Sequence, residues 1–438
     1  MSEKRITAST GSLTKWRWHL RRLLNQMWVR TSAFAVLGVV TAIAAWALKY
    51  FIPWEISAKI GGDAVEAILQ ILASSMLAVT TFSLSIMVQA LASATNNATP
   101  RATALLLEDG GSQTVLATFI GAFLFSLIGI ILLKTEVYGN SGRVVLFAVT
   151  LVVVLLVVVS LLRWISRLSR LGRISDTLDR AEAAADEALA NRLASPWFGG
   201  RPHDGTLPEG LVPLTLESIG RVQHVDVAAL SEAAEAARTD VYVTALPGDF
   251  ADPTQPVLMT TRALTEDEAA ALRSPWTVDR SRSFDQDPEF GLIVLSEIAQ
   301  RALSPAVNDP GTANDVLGRI FRVLSQWREA ADPEVIYPRL YLPSIRADQL
   351  LDRALHPIAR DAAGVYEVQI TLQQVLARLA RLTPEVFAKA AAVQSQRAMT
   401  YARDALRIEA HLEVLTEASR RIDSIAAKHD SAARDRKT

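Results

Sequence analysis

Oxygen-bearing side chains are concentrated in two short strings of the polar part of the chain. The strings are DQDPEFG at 285–291, which contains three acidic residues, and RALSPAVNDPGTAND at 301–315. Carboxylate and amide oxygens that lie this close together can bind a hard cation or transfer a proton. An aspartate followed by a proline is also a helix start. Its carboxylate accepts from the free N–H groups of the first turn, and the proline loses no hydrogen bond there.

The spacing of these oxygens differs from that of a calcium loop, and Pro310 stiffens the second string. We therefore predict a structural motif, in which Asp287 and Asp309 are helix N-caps, rather than a metal or catalytic site. The members of this motif are Asp287, Asn308, Asp309 and Pro310. A cation site that adds Asn314 and Asp315 is an open alternative, and so is a hinge or subunit contact at the same corner.

The composition excludes several other kinds of chemistry. The 438-residue chain has no cysteine, which excludes disulfides, thiolate metal sites and thiol nucleophiles, and its six histidines are scattered. The sequence contains no phosphate-binding loop, nucleophile elbow or zinc-protease helix. We expect no enzymatic activity, no cofactor and no bound metal.

Half of the residues are hydrophobic, and four apolar stretches are long enough to cross a membrane as helices. The predicted spans are residues 33–51, 64–93, 114–133 and 144–162. Residues 1–173 carry a net charge of +9 and the remainder −10, so the apolar part of the chain is basic. This combination favours contact with anionic lipid over contact with nucleic acid.

Basic residues flank the spans unevenly and predict their orientation. The leader before the first span is rich in lysine and arginine, whereas the loops expected outside hold few such residues. A lipid-facing basic cluster follows the fourth span and consists of Arg163, Arg167, Arg170 and Arg173. Basic flanks stay on the cytoplasmic side of a membrane. Both termini are therefore expected in the cytoplasm.

The second span carries polar side chains that the other spans lack. We call Gln70, Ser74, Thr81, Ser85 and Gln89 the polar stripe, since they fall within about 100° of one another on a helix. Residues 64–93 contain no proline or glycine, which predicts an unbroken helix about 45 Å long. The polar stripe either bonds to neighbouring helices or lines a water-filled path shared by several copies of the chain. No ionisable residue lies deep in any span, which disfavours a proton-driven carrier.

The chain is predicted to be mostly α-helical, with a four-helix transmembrane domain followed by a cytoplasmic region. The transmembrane domain occupies residues 1–173, including the basic leader, and a helical stalk and linker follows at 174–217. Residues 218–284 form a small β-containing module, in which GRVQHVD, DVYVTAL and PVLMTT are strands and Val227–Ala237 is a helix. Apolar residues then recur every three or four positions, which predicts an all-α bundle over 285–438.

The chain resembles a family of bacterial predicted membrane proteins, domain-of-unknown-function family 2254. The resemblance rests on SSMLAVTTFSLSIMVQALASA (74–94), QTVLATFIGAFLF (113–125), GRVQHVD with PGDF, and DQDPEFGLIVLSEIAQRALSPAVNDPGTA (285–313). Two local departures are NNATPR after the second span, where an aromatic-Gly-Pro-Arg turn is expected, and Arg221 in place of an expected tyrosine. The resemblance implies a bacterial inner-membrane protein and assigns no activity.

Two functions follow from these patterns. The first is a homo-oligomeric, channel-like path for ions or small solutes, lined by the second span and assembled or gated by the cytoplasmic region. The alternative is a membrane-anchored scaffold or sensor that binds a cytoplasmic protein and transports nothing. The expected partners are the lipid bilayer, further copies of the chain and, in the second hypothesis, a cytoplasmic protein, with no nucleic acid in either.

Overall fold

A computed structural model describes residues 62–102, 105, 110–135, 139–168, 173–327 and 333–435, together with the single positions 32, 36, 37 and 40. The described residues are mostly helical, at 68%, and form twelve helices and eight short strands. The described residues belong to two compact units. The membrane unit lies within Trp16–Ala94 and Thr103–Asp176, and the polar unit contains Thr95–Ala102 and Thr177–Thr438.

Three long helices form the described part of the membrane unit. They are α1 (Gly62–Asn97), α2 (Gly110–Lys134) and α3 (Gly139–Leu168). Each contains a stretch long and apolar enough to cross a membrane, namely Ala64–Ser93, Gly111–Lys134 and Arg143–Leu168. These stretches match three of the four predicted spans. The predicted span at 33–51 lies outside the described residues, apart from positions 36, 37 and 40.

Leucine, valine and phenylalanine side chains from all three helices form the core of the membrane unit. α2 is the most buried of the three helices. In its apolar stretch 56% of the residues are buried, compared with 22% for each of α1 and α3. The helices approach closely at Gly129 of α2, where an added Cβ would lie 3.1 Å from Leu69 of α1 and 3.6 Å from Leu146 of α3. α1 and α3 consequently keep broad exposed faces.

The polar unit begins with α4 (Ile174–Ala194) and two small sheets. The first sheet has the order β1-β8-β4-β6-β2 and the second β5-β3-β7. The strands are β1 (Arg201–His203), β2 (Val212–Leu214), β3 (Gly220–Val225), β4 (Val241–Val243), β5 (Phe250–Ala251), β6 (Leu258–Thr260), β7 (Trp276–Asp279) and β8 (Leu340–Pro343). Two short helices, α5 (Val227–Ala236) and α6 (Glu266–Arg273), pack on a shared apolar core.

Six further helices complete the polar unit. They are α7 (Pro288–Ala302), α8 (Pro310–Ser325), α9 (Ala347–Asp361), α10 (Tyr366–Leu382), α11 (Pro384–Ala405) and α12 (Glu409–Asp435). Their buried positions recur every three or four residues, as the apolar periodicity predicts. α10, α11 and α12 pack against one another, and α7 packs against both α8 and α9.

The strands are spread over a longer part of the chain than the sequence pattern predicts. β1 and β2 lie within the stretch predicted as stalk and linker, and β8 lies within the stretch predicted as all helical. β8 is parallel to both β1 and β4 and joins them into one sheet, with Tyr341 stacked on Tyr242 at 4.4 Å. A three- or four-residue strand gains its stability from such distant partners, so its own residues carry little signal.

Candidate functional site

The polar stripe lies on the exposed face of α1. All five of its side chains are exposed, and no other described helix covers them. The opposite face of α1 supplies the buried residues Val65, Leu69, Leu72 and Met76 to the core of the membrane unit. α1 is unbroken over 36 residues, or about 54 Å, which exceeds the roughly 30 Å hydrocarbon thickness.

The hydroxyl groups of the stripe bond to the backbone of their own helix. Ser74 Oγ donates to the Gln70 carbonyl at 2.9 Å, and Thr81 Oγ1 donates to the Leu77 carbonyl at 2.9 Å. Ser85 Oγ donates to the Thr81 carbonyl at 3.1 Å. Each hydroxyl thus donates its only hydrogen within its own helix. Its oxygen can still accept a hydrogen bond from water or another copy of the chain.

A charged pair lies at the end of the stripe nearest Gln70. Lys134 Nζ of α2 is 2.7 Å from Glu66 Oε1, and Gln70 Nε2 donates to the same oxygen at 2.9 Å. The pair connects the first turns of α1 to the last residue of α2. The stripe therefore begins at a charged group and continues as hydroxyls and a second carboxamide, Gln89.

The exposed face of α3 has a different chemistry. Apart from Arg163 near its end, its exposed large residues are aliphatic: Leu151, Val152, Leu155, Leu156, Val158, Val159, Leu162 and Ile165. Such a surface suits contact with acyl chains. The exposed face of α1 combines the polar stripe with five exposed apolar side chains, Ile71, Leu77, Phe82, Leu84 and Val88. The membrane unit thus has one surface typical of lipid contact and one that carries polar groups.

A buried ion pair joins the segments that carry the family resemblance. Arg282 contacts Asp287 with two hydrogen bonds, Nε to Oδ2 at 2.6 Å and Nη2 to Oδ1 at 2.8 Å. Gly248 of PGDF lies so close that an added Cβ would overlap both side chains. Arg221 of GRVQHVD donates to the Gly248 carbonyl at 3.1 Å. Three strings that are distant in sequence therefore meet at Asp287.

The oxygens of Asp287 are fully used within this cluster. The carboxylate also accepts from the backbone N–H groups of Glu289 and Phe290, at 3.1 and 3.2 Å, and its side chain is 1% exposed. Burial raises the pKa of the Asp287 carboxyl, and the Arg282 guanidinium beside it opposes that rise. With every oxygen occupied, Asp287 caps α7 and neutralises Arg282.

Both predicted N-caps are confirmed. Asp309 accepts from the Thr312 backbone N–H at 3.0 Å and from its hydroxyl at 2.6 Å, and Pro310 is the first residue of α8. These bonds from Thr312 lower the pKa of the Asp309 carboxyl. Asn308 has a φ of 49°, a left-handed conformation that asparagine tolerates better than most residues. The corner between α7 and α8 is therefore tightly built.

Two members of the alternative cation site have partners within the chain. Asp315 pairs with Arg319 at 3.1 Å, and Asp309 accepts from Thr312. In the described ranges, no group of three or more acidic or histidine side chains is arranged to hold a metal ion.

The predicted basic cluster is only partly described. Arg163 and Arg167 lie at the end of α3, and Arg173 is exposed just before α4. Arg170 lies outside the described residues.

Sequence reasoning missed an ion-pair network between α4 and α8. Arg319 Nη1 is 2.6 Å from Asp179 and 2.7 Å from Glu182, and Arg322 Nε is 2.6 Å from Glu182. These partners are about 140 residues apart, so no local spacing reveals them. Only the Asp315–Arg319 pair, four residues apart on one helix face, had a local signal.

A second missed contact holds the segment that follows α1. Thr99 Oγ1 donates to Glu297 Oε2 of α7 at 2.9 Å, and Arg101 Nη1 forms an ion pair with Glu297 Oε1. Ala98 and Ala102 are buried on either side of this pair. Both the segment after α1 and the helix after α3 are therefore fixed to the α7–α8 pair inside the polar unit.

Comparison with known proteins places these features in a family. A family model described as a predicted membrane protein (DUF2254) matches residues 24–378. The chain belongs to this family. The match includes the polar stripe, the Asp287 cluster and the corner between α7 and α8, and it confirms the resemblance inferred from the sequence strings.

Two mycobacterial relatives give no further functional information. The chain is similar to uncharacterised proteins of Mycobacterium bovis and Mycobacterium tuberculosis, each 25% identical over 359 residues. The alignment covers 75% of this chain and 65% of each relative, so this chain spans about 65% of the length of those relatives. No solved structure matches the chain significantly.

Proposed function

We propose that this DUF2254 protein assembles as a homo-oligomer around a path for ions or small solutes, with α1 of each copy at the axis. The observation that carries the proposal is the exposure of the polar stripe on a helix that spans a membrane by length and composition. An enzymatic role forms no part of this proposal.

The energetic argument concerns the carboxamide of Gln89. A hydroxyl that donates to its own helix enters hydrocarbon cheaply, whereas an unpaired amide group costs about 2–7 kcal/mol, depending on the reference state. Gln89 lies on the exposed face of α1, whereas the Gln70 carboxamide already donates to Glu66 Oε1. Water or another protein surface beside α1 removes this cost. Three or four helices enclose no roomy pore, so several copies are required.

The polar unit supplies a means of control. α1 ends at Asn97, and Thr99 and Arg101 are bonded to Glu297 of α7. A displacement of α7 would therefore pull on the residues directly after the proposed path-lining helix. We propose that this contact gates or stabilises the path, with both termini and the polar unit on the cytoplasmic side of a bacterial inner membrane.

Flux through liposomes tests the path. Ser74→Leu and Thr81→Val should each change the flux of ions or small solutes severalfold, because both side chains belong to the polar stripe. Thr80→Val is the matched control, since Thr80 lies beside the stripe and donates to its own helix at 2.6 Å. Unchanged flux in both stripe variants, or equal changes in the control, would contradict the proposal. A monomer in native mass spectra would do so too.

Single-cysteine labelling tests the orientation. The chain has no cysteine, so one introduced at the exposed Ser431 of α12 is the only thiol. A membrane-impermeant maleimide should label S431C in permeabilised cells but not in intact cells. Labelling of intact cells would place α12 outside and reverse the proposed topology.

A scaffold or sensor role is the second candidate, and one observation favours it. A cavity of about 620 Å³ lies between α10 and α12. Its lining includes Ile370, Arg378, Arg381, Val414 and the Glu417–Arg421 pair. A groove of this size, whose walls combine aliphatic side chains with basic and acidic groups, is suited to a protein segment. If this candidate is correct, the protein carries no flux in liposomes. The double variant Arg378→Glu, Arg381→Glu should then lose its cytoplasmic partner.

A further inference from the structure

The end of the membrane unit opposite the Glu66–Lys134 pair contains a basic cavity that the proposed path does not use. The cavity has a volume of about 360 Å³ and lies between the end of α3 and the first turns of α2. Its polar lining consists of Gly111, Thr114, Ser160, Arg163, Ser166 and Arg167. All of these residues belong to the membrane unit.

Two guanidinium groups face the cavity from one side of α3. Arg163 and Arg167 are four residues apart, which places them one above the other on the helix surface. The Arg167 guanidinium lies directly over Gly111, where an added Cβ would overlap its Cζ and Nη atoms. Only a residue without a side chain allows this approach. Gly111 therefore shapes the floor of the cavity.

Both charged residues in the described lining of the cavity are arginines. The first turn of α2 contains no acidic residue, and a helix N-terminus carries a partial positive charge. Two guanidinium groups beside it add to this potential, and the hydroxyls of Thr114 and Ser166 lie within the same lining. A ligand with several anionic oxygens matches such a donor set, since guanidinium forms paired hydrogen bonds with phosphate.

We infer that this cavity binds a phosphate group, and that the phosphate is the headgroup of an anionic phospholipid. The surface of α3 next to the cavity supports a lipid source. Leu162 and Ile165 are exposed within the same two turns as Arg163, so acyl chains attached to a bound headgroup would meet aliphatic side chains. Basic pockets between membrane helices recognise anionic headgroups in this way.

Native mass spectrometry of the full chain in detergent can count the lipids that remain bound. The parent should retain phosphatidylglycerol in preference to phosphatidylcholine. Arg163→Gln combined with Arg167→Gln should lower that retention about tenfold or more. Gly111→Ala tests the shape alone, because it keeps both charges while displacing the Arg167 guanidinium. It should also lower retention. Arg143→Gln is the matched control, since it removes an arginine from the other end of α3 and should change nothing.

Two further measurements distinguish a lipid headgroup from soluble phosphate. Inorganic phosphate added at increasing concentration should displace little phosphatidylglycerol. Saturable phosphate binding that is lost in the arginine variant, without any preference for phosphatidylglycerol, would support the anion site but assign it to soluble phosphate. Glu108 and Asp109 directly precede α2 in the sequence and could neutralise the arginines. Binding that appears only in Glu108→Gln with Asp109→Asn would overturn the inference. Equal losses in Arg143→Gln would overturn it as well.

Discussion

Replacing Asp287 by alanine removes a carboxylate on which four hydrogen bonds converge. Two come from the Arg282 guanidinium and two from the backbone N–H groups at the start of α7. The Arg282 side chain is 18% exposed, so water replaces its lost partner poorly. We expect Asp287→Ala to destabilise the polar unit strongly, through both the ion pair and the helix cap.

The expected magnitude follows from these contacts. Breaking a buried ion pair by removing one partner costs about 3–5 kcal/mol, and losing an N-cap costs about 1 kcal/mol. The two terms overlap because a single side chain makes both interactions. Glu289 Oε2 is 3.4 Å from Arg282 Nη2 and can take over part of the pairing. We therefore expect about 3 kcal/mol, which corresponds to a fall in melting temperature of about 6–12 °C.

Scanning fluorimetry of the full chain in detergent measures the effect. Asp285→Ala is the matched control, because Asp285 is the exposed aspartate two residues earlier in the same string, and surface changes stay within about 0.5 kcal/mol. Asp287→Ala combined with Arg282→Ala should destabilise less than the sum of the single changes, since no buried charge is then left unpaired. Similar small shifts for Asp285→Ala and Asp287→Ala would refute the account of this cluster.

Three smaller predictions concern helix starts and pH. Hydrogen bonds from Arg262 lower the pKa of Glu268 from 4.5 to about 2, so its stabilising contribution is present above pH 4.5 and is lost as the pH falls towards 2. The difference in melting temperature between the parent and Glu268→Gln should therefore shrink between neutral pH and about pH 3. Asp309→Ala should cost about 1 kcal/mol in thermal unfolding, whereas Asp309→Asn should retain most of the cap. Asn308→Gly should be neutral, and Asn308→Val should cost about 1–2 kcal/mol, because a β-branched residue resists the left-handed conformation.

The features that could be predicted from sequence depend on neighbours along the chain. Asp309 followed by Pro310 predicts a helix start from two adjacent residues. The spacing of the polar stripe can likewise be seen within a single helix. The apolar runs predict α1, α2 and α3 because length and apolar composition together decide whether a helix can cross a membrane. Which face of a helix is exposed depends on its neighbours. The exposure of the stripe therefore required the structure.

The features that escaped prediction depend on distant partners. β1 and β8 pair residue by residue from Arg201–Tyr341 to His203–Pro343, across about 140 residues of chain. The Glu297 contact joins α7 to a segment almost 200 residues earlier. Neither stretch has a composition that distinguishes it from a loop or an ordinary helix surface. Such interactions appear only when the fold brings the partners together.

The corner between α7 and α8 gains a role when these distant contacts are considered together. α7 holds the residues after α1 through Glu297, while α8 holds α4, the helix that follows α3, through Arg319 and Arg322. The angle between α7 and α8 therefore determines how two chain segments leaving the membrane helices are placed within the polar unit.

Backbone hydrogen bonds close this corner, from Asp309 N–H to the Ala302 carbonyl at 2.8 Å and from Asn308 N–H to the Ser304 carbonyl at 2.9 Å. The cap at Asp309 and the left-handed Asn308 stiffen it further. These contacts make the string at 301–315 a rigid joint between α7 and α8. If α1 lines a path, loosening this joint should alter the flux even though no residue of the polar stripe has changed.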